Sequence, residues 1–181
     1  LHLCAKVRST EAAVEFAQTM IATSPNFLPI QHLGISWLRS EAPAEGEAAL
    51  RDLLSRKPNY AWAKRELALA LLQVGRENEA MKHAEEALEL EPHIAASHSV
   101  LAAMHFEESR FEEARACYAR AVELDVDNGA AIVGLVDASR TDDERRDALA
   151  HVQRELSRQA VFGDGIRAYR SAARSVLSLS L

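Results

Sequence analysis

The chain is short of the residues on which most compact chemistries rest. It has two cysteines, Cys4 and Cys117, with no CxxC spacing, so no disulfide framework is implied. Aromatic residues make up only 6% of its 181 residues, and glycine and proline number 7 and 5, which leaves little material for turn-rich β architecture. No run of about 18 apolar residues occurs, so no transmembrane helix is expected, and no signal peptide is read. Residue 1 is leucine rather than methionine, and the chain reads as a piece of something longer, with no signal that fixes a compartment beyond a default to the cytoplasm. Gly-rich phosphate loops, HExxH and nucleophile elbows are all missing. Positive charge is in deficit: 21 Lys and Arg against 27 Asp and Glu give a net charge of −6, which argues against general nucleic-acid binding. No catalytic residue and no cofactor is assigned.

What the chain does have is 48% hydrophobic residues, largely Ala and Leu, mixed with 27% charged ones, the composition of packed helices. Ala61–Pro92, AWAKRELALALLQVGRENEAMKHAEEALELEP, reads as two helices and a turn. From Trp62 to Val74 nearly every residue is apolar, with Lys64, Arg65, Glu66 and Gln73 as interruptions, so this helix must be covered on most sides. Gly75 suits the left-handed end of a helix. From Glu79 to Leu90, Ala80, Met81, Ala84, Ala87 and Leu88 share one face while Lys82, Glu85, Glu86 and Glu89 hold the other. Pro92 ends it. A hairpin of this kind cannot bury itself alone.

A shift of 34 residues supplies the neighbours. Leu67 has counterparts in Leu33, Leu101 and Leu135, and beside them stand Gly34, Ala68, Ala102 and Val136. Gly46, Ala80, Ala114 and Ala148 fall at a second spacing, and Leu53, Ala87 and Ala121 at a third. Small residues at such points let helix axes approach to about 8–10 Å. Carried by these residues, the chain resembles the tetratricopeptide repeat family, whose 34-residue unit has a Leu and a small residue, then Gly, Ala, Ala and Pro. The resemblance is strongest for Ala61–Pro92 and Ala95–Asn128. Residues 27–60 keep register with Gly46 and Leu53 where the pattern favours Ala, and 129–160 is degenerate, with Glu155 at the later Ala and Ala160 at the Pro.

The resemblance implies an all-α solenoid, a right-handed superhelix of antiparallel helix hairpins: a partial repeat over 1–26, repeats over 27–60, 61–94 and 95–128, a degenerate repeat over 129–160, and a capping helix in 161–181. In the partial repeat, Leu1–Arg8 reads as half a first helix and Glu11–Pro25 as a second, with Ala13, Ala17 and Met20 inward. Thr141-Asp-Asp-Glu144 is a capping box. The final helix should turn Ile166, Tyr169, Ala173, Val176 and Leu177 inward, with Arg167, Arg170 and Arg174 wet; a basic helix on a membrane surface is the alternative reading.

Function in this family comes from a concave groove lined by the first helices, and family spacing implies its lining: Leu28, Gln31, Ile35, Leu38 and Arg39; Trp62, Arg65, Leu69 and Leu72; Ala96, Ser99, Ala103 and Phe106; and Val133, Asp137 and Arg140 from the degenerate repeat. This lining is apolar, with Arg39 and Arg65 as polar anchors. Relatives that clamp a chaperone's C-terminal carboxylate use Lys, Asn and Arg there; Gln31, Ile35 and Leu69 stand in that region, so the clamp is absent. His98 and His105, seven apart on one face, hint at a metal, but they fall where the family places large aromatics, and packing is the expected role. The implied function is a non-catalytic adaptor that binds a protein or peptide, with no nucleic-acid ligand and no membrane insertion. Two alternatives are the substrate-holding region of a larger enzyme, such as a glycosyltransferase or other modifying enzyme, and a self-association module that would make the chain a homo-oligomer. Charge is unevenly spread: Arg76–Asp127 carries 13 acidic and 5 basic residues, whereas Arg145 to the end carries 3 acidic and 7 basic.

Overall fold

Apolar residues recurring every three or four positions become helices, and the Pro and Gly between them become the turns. The computed structural model describes residues 10–159 and 163–178, and among these it contains ten α-helices and no strand. They are α1 (Thr10–Thr23), α2 (Leu28–Glu41), α3 (Pro43–Arg56), α4 (Ala61–Gln73), α5 (Glu77–Leu90), α6 (Ala95–Glu107), α7 (Phe111–Leu124), α8 (Gly129–Asp137), α9 (Asp142–Leu156) and α10 (Asp164–Ser178). Pro43 is the first residue of α3, where its missing N–H costs nothing. Gly75 takes φ +72° just after α4, and the Gly75 N–H donates to the carbonyl of Leu72. Thr141 and Glu144 form the reciprocal capping box at the head of α9. The segments Leu1–Arg8 and Val161–Phe162 lie outside the described residues.

Chain neighbours pack as antiparallel pairs, α2 on α3, α4 on α5, α6 on α7 and α8 on α9, with α1 against α2 and α10 against α8 and α9. First helices also touch their counterparts one repeat on, α4 with α6 and α6 with α8. The residues at the repeat spacings lie where these axes meet. Gly34, Ala68, Ala102 and Val136 are all buried, as are Gly46, Ala80, Ala114 and Ala148. Two apolar clusters run through the array. The first gathers Ile35, Leu50, Leu53, Leu67, Leu71, Leu101 and Met104; the second gathers Tyr118, Val122, Val126, Ile132, Leu135, Val152 and Val176. Cys117 packs against both.

Two positions depart from expectation, and one departure from the family pattern finds its reason. Leu33 is 57% exposed, while Leu67, Leu101 and Leu135 are buried. Leu67 and Leu101 belong to the first apolar cluster and Leu135 to the second, whereas Leu33 belongs to neither. Gly46, where Ala would be the ordinary residue, is held by space: a Cβ there would lie 2.8 Å from the Cα and N of Arg39, so α2 and α3 cross more closely than Ala permits. In α10 Val176 is buried and Tyr169 and Ala173 are half-buried, as expected, but Ile166 is not on the buried side, and the side chain of Leu177 lies outside the described residues. Gly165, Ala172 and Val176 are buried whereas Ile166 is 46% exposed. A Cβ on Gly165 would stand 2.1 Å from the carbonyl oxygen of Val126; the helix seats on its small residues because only they admit that approach.

Candidate functional site

The first helices α2, α4, α6 and α8 form one row, and α10, which packs on α8 and begins about one repeat length after it, extends that row. Within this row the sixteen groove positions divide by accessibility. Gln31 and Ile35 are 0% exposed, Leu38 is 2% and Arg65 is 9%, so these four are interior side chains rather than free lining. Each has a physical reason. The Gln31 side-chain amide donates to the carbonyls of Ile21 and Ser24, tying α2 to the end of α1. Ile35 belongs to the first core cluster. Leu38 forms part of the floor of a cleft between α1 and α3 that also involves Ile21 and Ala49. Arg65 donates from Nη1 to Glu91 at 2.5 Å and to Ser97 Oγ at 3.0 Å.

Leu28, Arg39, Trp62, Leu69, Leu72, Ser99, Ala103 and Phe106 are half-buried, and Ala96, Val133, Asp137 and Arg140 are exposed. Ordinary packing holds several of these rings. Trp62 stacks on His32 with centroids 3.7 Å apart and the planes at 20°. The His32 Nε2 lies 2.5 Å from the hydroxyl of Tyr60, and burial lowers the His32 pKa, which keeps the imidazole neutral in this stack. Phe106 meets Phe111 edge-on at 5.4 Å, and the Arg140 guanidinium sits 4.4 Å above the Phe111 ring, a cation–π contact. Ser99 Oγ accepts from the Asn128 side-chain amide at 2.9 Å. The anchors are also engaged: Arg39 pairs with Glu66 at 3.2 Å, and Arg65 with Glu91. A ligand anion would have to displace a carboxylate of the chain's own at either residue.

Sequence reasoning passed over His32, Tyr60 and Phe111, which support Trp62, Phe106 and Arg140. They sit off the groove spacings, and the 34-residue register gives no signal that their rings turn toward the row. His98 and His105 do not converge as a pair of ligands. A ring nitrogen of His98 lies 2.9 Å from the Pro92 carbonyl, whereas His105 is 9% exposed with its Nδ1 unpartnered. Among the described residues no group of three or more His, Cys, Asp or Glu side chains is placed to hold a metal ion. No helix there is long and apolar enough to cross a membrane.

Comparison with known proteins agrees with this geometry. The tetratricopeptide repeat profile matches residues 66–94 and 95–128. No curated protein sequence matches the chain. Among solved structures, TTC0263, a thermophilic tetratricopeptide repeat protein of Thermus thermophilus, is similar with a TM-score of 0.69 at 18% identity, over 95% of this chain and 94% of that one. MamA from Desulfovibrio magneticus RS-1, residues 41 to the end, is similar with a TM-score of 0.62 at 16% identity, over 86% of this chain and 89% of that one. A further MamA crystal structure gives 0.62 at 14% identity over 82% and 87%. Identities this low speak to the fold. The profile match identifies residues 66–94 and 95–128 as tetratricopeptide repeats, and the likeness to these structures, with the register of buried residues, gives the chain the all-helical tetratricopeptide solenoid fold.

Proposed function

We propose that the chain is a non-catalytic adaptor whose row of first helices binds a peptide segment with two or three large apolar side chains. The observation that carries this reading is the half-buried apolar set Trp62, Leu69, Leu72, Ala103 and Phe106 on the adjacent helices α4 and α6. Each has apolar surface left over after packing, and contiguous apolar surface in a concavity is what interfaces use. Trp62 is held by His32 in a fixed orientation, so little rotamer entropy would be lost when a ligand covers it. Binding then depends on apolar contact and only weakly on salt at this part of the groove.

The test is selection of phage-displayed random peptides on the immobilised chain, followed by titration of the enriched peptides. Trp62→Ala or Leu72→Ala should weaken them by about 1–3 kcal/mol, as truncation of interface anchors does. Charge reversal at exposed Glu85 or Glu89 of α5 should leave binding unchanged. Peptides lost on the α5 reversals but indifferent to Trp62 and Leu72 would refute the groove.

A further inference from the structure

The 34-residue register does not stop at α9. Arg167, Ser171 and Arg174 of α10 stand one repeat beyond Val133, Asp137 and Arg140, and so continue the groove positions onto the last described helix. All three are exposed. Arg170 joins them from an unusual place. It occupies the point of closest approach that Gly34, Ala68, Ala102 and Val136 fill as buried residues, yet in α10 this side chain is exposed. A depression of about 520 Å³ elsewhere in the array is rimmed by both signs of charge, but the 290 Å³ depression on α10 is lined by Arg167, Arg170, Ser171 and Arg174 alone.

The electrostatic contrast with the rest of the groove is sharp. Arg39 and Arg65 already face carboxylates. On α10, Arg167 pairs with Asp164, and Arg170 and Arg174 have no carboxylate partner among the described residues. Three guanidiniums spaced at i, i+3 and i+7 lie along one stripe of a helix. Like charges so placed repel one another mildly, and the cost is offset when an anion bridges them by charge-assisted hydrogen bonds.

We propose that the groove is amphiphilic along its length, with an apolar centre on α4 and α6 and an anion-binding wall on α10 formed by Arg170 and Arg174 beside the Asp164-paired Arg167, so that its ligand is a peptide whose apolar segment adjoins a cluster of acidic residues. This rests on the peptide-groove reading above and fixes the ligand's charge pattern and its direction along the array. A nucleic acid fits less well, because a polyanion crossing the row would also meet a chain of net charge −6.

The experiment uses the intact chain, the same peptide selection, and fluorescence anisotropy with the enriched peptides. These should carry Asp or Glu clustered at one side of their apolar residues. R170E/R174E should weaken them about tenfold or more, and R170Q/R174Q less, since charge-assisted hydrogen bonds of this kind are worth about one decade in affinity each. Replacing the peptide's Glu by Gln should abolish the difference between wild type and R170E/R174E, which a merely misfolded variant would not do; both variants are at exposed sites and their far-UV spectra should match wild type. Enriched peptides without acidic residues, or affinities unchanged in R170E/R174E, overturn this inference while Trp62→Ala still reports on the groove. Failure to enrich any peptide, or indifference to Trp62→Ala and Leu72→Ala, removes the groove itself and this wall with it. Single-stranded oligonucleotide or anionic-lipid vesicles that bind more tightly than the peptides, with the same arginine dependence, also overturn it.

Discussion

At the scale of single residues, burial converts ordinary side chains into conditional ones. His105 occupies a point on α6 where a large aromatic would fit, and it fills that space as a neutral ring. Burial lowers its pKa first; Arg110 lowers it further, and Glu113, Glu108 and Glu85 pull the other way without reversing it. Its Nδ1 is buried with no hydrogen-bond partner. The consequence for stability has a definite sign. In the unfolded chain this histidine titrates near pH 6.5. Above that value both states hold it neutral and stability is full. As pH falls through about 6.5 the unfolded state takes the proton first, so stability is lost between the unfolded value and the lower folded one. His105→Phe removes the titrating group while keeping a large ring. Urea melts at about pH 7.5 and about pH 5.5, on either side of the unfolded value, should therefore show a smaller loss on acidification for His105→Phe than for wild type. An equal loss in both would place the pH sensitivity elsewhere, with half-buried His83 as the next candidate.

At the scale of elements, the placement of α10 depends on small residues at its base. The Gly165 N–H donates to Asp127 Oδ1 at 2.8 Å, and its missing side chain gives room to the Val126 carbonyl. The Gln159 side-chain amide secures the same corner by donating to the carbonyls of Val122 and Glu123. Gly165→Ala therefore forces the start of α10 away from the turn between α7 and α8, although alanine is the better helix former. The loss should be about 1–3 kcal/mol in denaturant melts, the range for overpacking a close contact. An unchanged or raised midpoint would mean that α10 does not sit on Val126.

At the scale of the whole molecule, the array is a one-dimensional stack in which each hairpin is stabilised by its neighbours. A residue's weight then follows from its place in the row as much as from its type. Leu67 is 1% exposed within the first apolar cluster, and Leu33, at the same repeat position, is 57% exposed. Leu67→Ala should cost about 2–5 kcal/mol, as buried large-to-small changes do, and Leu33→Ala less than about 1 kcal/mol, as an exposed position does. Equal losses would show that Leu33 is covered in solution. Amide exchange should follow the same order, slowest in α4 to α7 and fastest in α1 and α10.

The sequence by itself determined the helices, their turns and their register. Local periodicity, Gly75, Pro43 and the Thr141 cap act within a few residues, and a 34-residue spacing held by Leu67, Leu101 and Leu135 requires neighbours of the same kind. The all-α fold and the resemblance to the family were legible for that reason. Which residues of the row remain open was decided only by the tertiary structure. Spacing treats Gln31, Ile35, Leu38 and Arg65 as lining, but the end of α1 covers Gln31, and Glu91 and Ser97 reach Arg65 from the next turn and helix. The same holds for α10, whose apolar periodicity placed Ile166 inward. That residue is exposed, and the close contact at Val126 buries Gly165 instead. Local patterns state what a helix can bury; the distance between two backbones states what it does bury.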